Sequence, residues 1–178
     1  MADLDRILRH LVGDYMKSLY TNATPGILGK LEVCCRCKPG GRVADSRAGA
    51  YENGDAINES EAPDPEEAEK EVRQIVFRDL FLWSVLTNRM DMSKVLLSHI
   101  QTRICAALIA SKVMKTYQTY AHDTESKDQF SAQASYFEDY ANECLKCCYN
   151  GDEDIACEIA IRRINLFGAV SCLQVRIN

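Results

Sequence analysis

The nine cysteines are the residues of this 178-residue chain best suited to chemistry. Cys34, Cys35 and Cys37 form one cluster, and Cys144-Leu145-Lys146-Cys147 has the two-residue gap with which one knuckle of a zinc site presents two thiolates. A structural zinc site needs four converging ligands, and the two clusters stand on opposite sides of a stretch with linker composition. Cys144 and Cys148 also share the apolar stripe of a helix, where cysteine packs as a small hydrophobe. Reduced thiols and no bound metal are therefore expected, with a cysteine-rich, zinc-stabilised domain as the alternative. An odd number of cysteines set among helix formers does not suit a secreted disulfide framework.

The remaining candidates for chemistry are sparse. His10, His99 and His122 are far apart, and His99 falls on a helix stripe, so none has an orienting partner in its own sequence neighbourhood. Gly40-Gly41 is not followed by the Lys-Ser/Thr of a phosphate loop. Trp83, Phe77, Phe81 and Phe137 could line a groove, but aromatics at helical spacing are more often core. Arg162 and Arg163 read as a solvated helix end. No catalytic, cofactor-binding or metal-ligating residue is assigned, and no enzymatic activity or cofactor is expected.

The elements that would position these residues are helical. Leu4, Ile7, Leu8, Leu11, Val12 and Tyr15 recur at helical spacing behind Asp3, a candidate cap, and Thr24-Pro25-Gly26 then turns the chain. From 38 to 62 the residues are mostly small, polar or charged, which predicts a flexible internal linker. Asp64-Pro65-Glu66-Glu67 can start a long helix. In it Val72, Ile75, Val76, Leu80 and Trp83 make one stripe, and Phe77, Phe81 and Val85 a second, so burial between neighbours is expected.

After a break at Asn88-Arg89-Met90-Asp91, with Asp91 as a candidate cap, Met92, Val95, Leu96, His99 and Ile100 complete a helical hairpin. A helix rich in small residues follows Thr102, and the polar stretch from His122 to Gln129 reads as a loop. Phe137, Tyr140, Ala141, Cys144, Leu145 and Cys148 make the stripe of the next helix. Gly151 is expected as its left-handed end, before a helix containing Ile155, Ala156, Ile159 and Ala160. Two hairpins of one plan predict an all-α fold, an irregular, solenoid-like array of antiparallel helical hairpins with one disordered internal linker. The expected divisions are 1–37, an N-terminal amphipathic helix and cysteine cluster; 38–62, the linker; and 63–178, the helical domain.

Composition narrows the function. Lysine and arginine number 21 against 26 acidic residues, so a basic footprint for nucleic acid is missing. The uncharged run from Ile164 to Val175 is shorter than the ~17 to 25 residues that span a bilayer. Asp3, Asp5, Arg6, Arg9 and His10 interrupt the opening where a secretory signal would be apolar, and cytoplasmic exposure is expected. The acceptor patterns at Asn22 and Asn58 are then chance matches.

Four segments in order carry a resemblance: DLFLWSVLTNRMDMSKVL from Asp79 to Leu96, ALIASKVMKTY from Ala107 to Tyr117, CYNGDEDIACEI from Cys148 to Ile159, and CLQ from Cys172 to Gln174. With LVGDYMKSLY from Leu11 to Tyr20, they resemble the later part of the cytosolic melastatin homology region of TRPM (melastatin-type transient receptor potential) cation channels. Phe167 stands where that family commonly has a tryptophan before CLQ, which should preserve burial but not the indole donor.

The resemblance implies a non-enzymatic scaffold or interaction module on the cytoplasmic side of a membrane. It would pack between the distal sensing region and the membrane domain, and contact other regions or subunits of a TRPM-type channel. This stretch carries no pore. A free-standing helical adaptor is the rival reading. Exposed apolar faces, expected at Leu4, Leu8 and Leu11 and around Leu166, Phe167, Val170 and Leu173, would also permit self-association.

Overall fold

The computed structural model describes residues 2–20 and 65–177, and among them the fold is all-α. The elements are α1 (Ala2–Val12), α2 (Pro65–Leu86), α3 (Met90–His99), α4 (Arg103–Tyr120), α5 (Thr124–Gly151), α6 (Glu153–Ile161), a 3-10 turn (Asn165–Phe167) and α7 (Cys172–Ile177). The expected linker at 38–62, the cap Asp64 and the cluster Cys34, Cys35 and Cys37 lie outside the described residues. No helix among the described residues is long and apolar enough to cross a membrane.

Helix α4 is the centre. Ile104, Cys105, Ala106, Ala107, Leu108, Ile109 and Ala110 form an unbroken buried run, because α1, α2, α3, α5 and α7 all pack on it. Its alanines keep side-chain bulk small where neighbours approach from several directions. The core then closes with larger side chains: Phe81 of α2 meets Phe137 of α5 edge to face at 6.4 Å, an arrangement worth ~0.5 to 1.5 kcal/mol beyond area burial.

The first expected hairpin is α2–α3. Asn88 makes its turn at φ 55, a left-handed conformation that asparagine tolerates better than most residues. Inside the hairpin the buried Ser84 and Ser93 hydroxyls lie 2.8 Å apart, where one donates to the other while the second gives its proton to a carbonyl in reach, Phe81 for Ser84 or Arg89 for Ser93. Gln74 fastens the far end, donating to the His99 carbonyl and accepting from the Gln101 amide. The second hairpin is α5–α6.

Several local expectations are corrected. Helix α5 begins at Thr124 rather than after Gln129, because the Asp123 carboxylate accepts from the Ser126 amide and starts a helix through the polar stretch. Gly151 is the last helical residue and not left-handed; the turn is made by the extended Asp152, which caps α6 through the Ile155 amide. Asp91 and Asp3 lie in the first turns of α3 and α1 and do not precede them.

The expected exposure of the terminal stripes is also overturned. Leu8, Leu11, Val12 and Met16 belong to the same core as α4, and the Thr116 hydroxyl donates to the Leu11 carbonyl at 2.9 Å. Leu166, Phe167 and Val170 are buried too, and of that run only Leu173 is exposed. Conversely, α2 is covered on one side only. Val72, Val76, Leu80 and Trp83 face solvent, with Trp83 47% exposed, because Phe81, Leu82 and Val85 already satisfy the chain's own core. The arginine of the turn, Arg89, covers part of the indole, its guanidinium 5.4 Å from the ring centroid.

Candidate functional site

The most concentrated polar geometry joins three parts of the chain distant in sequence. After α1 the backbone doubles back, and the buried Asp5 carboxylate accepts from the Ser18 hydroxyl, the Leu19 amide at 2.8 Å and the Tyr20 amide at 3.2 Å. Burial pushes this carboxyl up, but these bonds and the nearby Arg9 charge outweigh it and hold the pKa below the ordinary value. Tyr20 then reaches α2, its hydroxyl donating to Asp79 at 3.0 Å. Burial and the Asp79 charge raise its phenol to about 12, so it stays a donor at neutral pH.

Arg78 completes the junction. Its side chain, 7% exposed, forms a two-point pair with Asp79 at 2.7 and 2.8 Å and donates to the Leu166 carbonyl at 3.1 Å. The guanidinium also stands 5.5 Å from the Tyr20 ring centroid. At the same place the Lys17 amide donates to the Gly168 carbonyl at 2.9 Å. Gly168 is left-handed at φ 76, and a Cβ there would collide with the Lys17 carbonyl oxygen. The N-terminal hook, α2 and the loop before α7 are thus locked to one another.

This arrangement holds the chain together and has little in common with a reaction centre. An ionised carboxylate saturated by three donors is a poor proton acceptor, and the Arg78 guanidinium is engaged from several sides. A second polar clasp, in which the Glu138 carboxylate of α5 pairs with Lys115 of α4 and with Arg176 of α7 at 3.2 Å, has the same character.

The three histidines weighed for chemistry lie apart. His10 bonds to the Tyr120 hydroxyl at 2.9 Å, His99 stacks on Phe77 at 5.0 Å, and His122 is exposed. Cys144 and Cys148 are half-buried against the core as their stripe predicts, while Cys147 points outward. No group of three or more histidine, cysteine or acidic side chains placed to hold a metal occurs among the described residues. A depression of about 400 Å³ between the α2–α3 turn and the end of α4 is lined by Leu86, Asn88, Tyr117, Tyr120 and Phe130, among others.

The sequence carries a signal of this junction that periodicity alone does not reveal. Asp5 stands three residues before Leu8 and seven before Val12, and Arg78 stands three before Phe81 and seven before Val85, so each is a lone charge on an apolar stripe. Such a charge must be buried with partners, which sequence alone does not supply.

The surface contrasts with this closed interior, and the four apolar residues along the outer side of α2 are its most regular feature. The family model described as TRPM2-like domain matches residues 1–178. The chain is similar to transient receptor potential cation channel subfamily M member 2 of Mus musculus, 32% identical over 98 residues, covering 55% of this chain and 6% of that protein. It is similar to member 5 of the same subfamily from Homo sapiens, 25% identical over 175 residues, covering 98% of this chain and 13% of the relative. A third relative, transient receptor potential cation channel trpm of Drosophila melanogaster, is 25% identical over 120 residues, 64% of this chain and 6% of its own length.

Proposed function

The chain belongs to the TRPM2-like domain family, and from that membership we propose that it acts as a non-enzymatic cytosolic scaffold module in a TRPM-type cation channel. The observation that carries the reading is the two-sided α2. Its inner side, Phe81, Leu82 and Val85, is fully used by this chain, while Val72, Val76, Leu80 and Trp83 form a second apolar stripe facing out. Apolar side chains repeated at this spacing suit the face of another helix.

The matched stretch makes up 6 to 13% of the relatives' length, so in such a protein other regions of the subunit and neighbouring subunits are at hand to cover that stripe. Its position is cytoplasmic, and its task is to transmit position between the parts it touches. The polar junction around Arg78 suits that task, because it makes the N-terminal hook, α2 and the loop before α7 move together.

Co-purification tests the reading. The chain should associate with the cytosolic N-terminal region of a TRPM-type channel, and Val76→Asp with Leu80→Asp should abolish association while leaving the thermal melt unchanged. Equal recovery of wild type and variant would remove the stripe as the docking face. A free-standing adaptor would show no association with channel regions at all.

A further inference from the structure

The stripe that α2 turns outward is complementary to itself. Val72, Val76, Leu80 and Trp83 are all exposed, and their spacing of four, four and three residues reads almost the same from either end. Resting on the reading of this stripe as a docking face, we infer that its occupant is the same stripe of a second copy of this chain, laid antiparallel against it.

Side-chain size is the first property that points to a second copy in that orientation. In a two-fold interface the same patch meets itself, so every residue must face a suitable partner within its own set. About a centre between Val76 and Leu80, Val72 of one copy faces Trp83 of the other, and Val76 faces Leu80. Each large side chain thus meets a valine, and the two rows can interdigitate at interior density. Parallel pairing would instead set Trp83 on Trp83 and leave the valines facing each other across a gap.

Charge is the second. The first turns of α2 carry Glu66, Glu67, Glu69 and Glu71 against Lys70 and Arg73, a surplus of two negative charges. The pairs Glu66–Lys70 at 3.0 Å and Glu69–Arg73 at 2.9 Å are solvated ones along the helix. At the opposite end of the stripe Arg89 is exposed and lies over the Trp83 ring. Antiparallel packing carries Arg89 of each copy toward the glutamates of the other, whereas parallel packing brings like charge to like. The dipoles of two 22-residue helices also oppose each other when antiparallel. From Val72 to Trp83 the helix rises about 16 Å, so the contact is at the low end of interface sizes and the dimer is reversible.

Sedimentation velocity on the whole chain in reducing buffer, across a concentration series, tests the inference. The average mass should climb from one chain toward two and stop there, and Val76→Asp with Leu80→Asp should hold it at one. Orientation is read by charge. Arg89→Glu and Glu69→Arg should each weaken dimerisation by roughly three- to tenfold, and both changes in one chain should restore it, with thermal melts showing that every variant is folded. The mass of one chain at every concentration would overturn the inference, as would growth past two copies, indifference to the stripe substitutions, or single variants that the double does not rescue. A monomer that still binds the cytosolic N-terminal region of a TRPM-type channel through Val76 and Leu80 rejects the second copy alone; a monomer that binds nothing rejects the docking reading as well. A monomer whose tryptophan already resists soluble quencher would place the cover within the chain itself and likewise rejects the second copy.

Discussion

Replacing Arg78 with methionine keeps a long apolar stem in place while removing the guanidinium that ties three segments together. The losses can be assembled from the structure. The pair with Asp79 is formed by a carboxylate that is 40% exposed, so water replaces much of it and its loss is set at ~1 kcal/mol. The buried Leu166 carbonyl is left without its donor, which costs ~1 to 3 kcal/mol, and the contact with the Tyr20 ring adds ~0.5 to 1 kcal/mol. Against these stands the relief of burying a cation, taken as ~1 kcal/mol. The net expectation is a loss of about 1.5 to 4 kcal/mol. In urea denaturation the midpoint should fall without a change in slope. Limited trypsin should also cut at Arg9 and Lys17 sooner, because the N-terminal hook loses its anchor on α2. A shift below ~0.5 kcal/mol, the range of an ordinary surface substitution, would refute the view that this junction locks the segments.

Further outcomes follow from neighbouring features. Trp83→Ala should change the stability of the isolated chain by less than ~1 kcal/mol, whereas Phe137→Ala, fully buried, should cost ~3 to 5 kcal/mol by thermal or chemical melting. Because the Asp5 pKa is lowered in the fold, its contribution is complete above the unfolded value of 3.8 and is lost as pH falls below that value through the folded one. Asp5→Asn should therefore flatten the acid limb of stability measured by denaturation at stepped pH. Gly168→Ala should destabilise by at least about 1–2 kcal/mol, from the left-handed backbone alone, with the clash on the Lys17 carbonyl adding to it.

Helix positions were largely legible in the sequence because apolar periodicity reports which side of a helix avoids water. Phe137, Ala141, Cys144 and Cys148 show this directly. Periodicity does not report who covers that side. Trp83 and Phe81 belong to equally regular stripes, yet one is exposed and the other buried, since α4 and α5 offer a surface to only one of them. The terminal stripes failed in the opposite sense: Leu8 and Phe167 are covered by tertiary contacts within the chain that no local pattern announces. The start of α5 lies in a polar stretch of loop-like composition, where the Asp123 carboxylate, accepting from the Ser126 amide, supplies an N-terminal cap. Likewise Ser171-Cys172-Leu173-Gln174 is a capping box, with Ser171 and Gln174 bonded reciprocally. Asp5 and Arg78 were legible as lone charges on apolar stripes, but their partners lie up to 88 residues away in sequence, as Leu166 does from Arg78.

The chain contains a single tryptophan, Trp83, and it sits on the stripe proposed to dock, so the central claim can be read at one atom. Biosynthetic fluorotryptophan gives the chain one fluorine resonance, which can be followed by NMR while an unlabelled cytosolic N-terminal region of a TRPM-type channel is added. The scaffold account predicts a saturable shift and broadening of that resonance, with loss of its sensitivity to soluble paramagnetic quencher, and no such change when Val76→Asp and Leu80→Asp are present. A resonance that stays sharp, unshifted and fully exposed to quencher at saturating partner would contradict it.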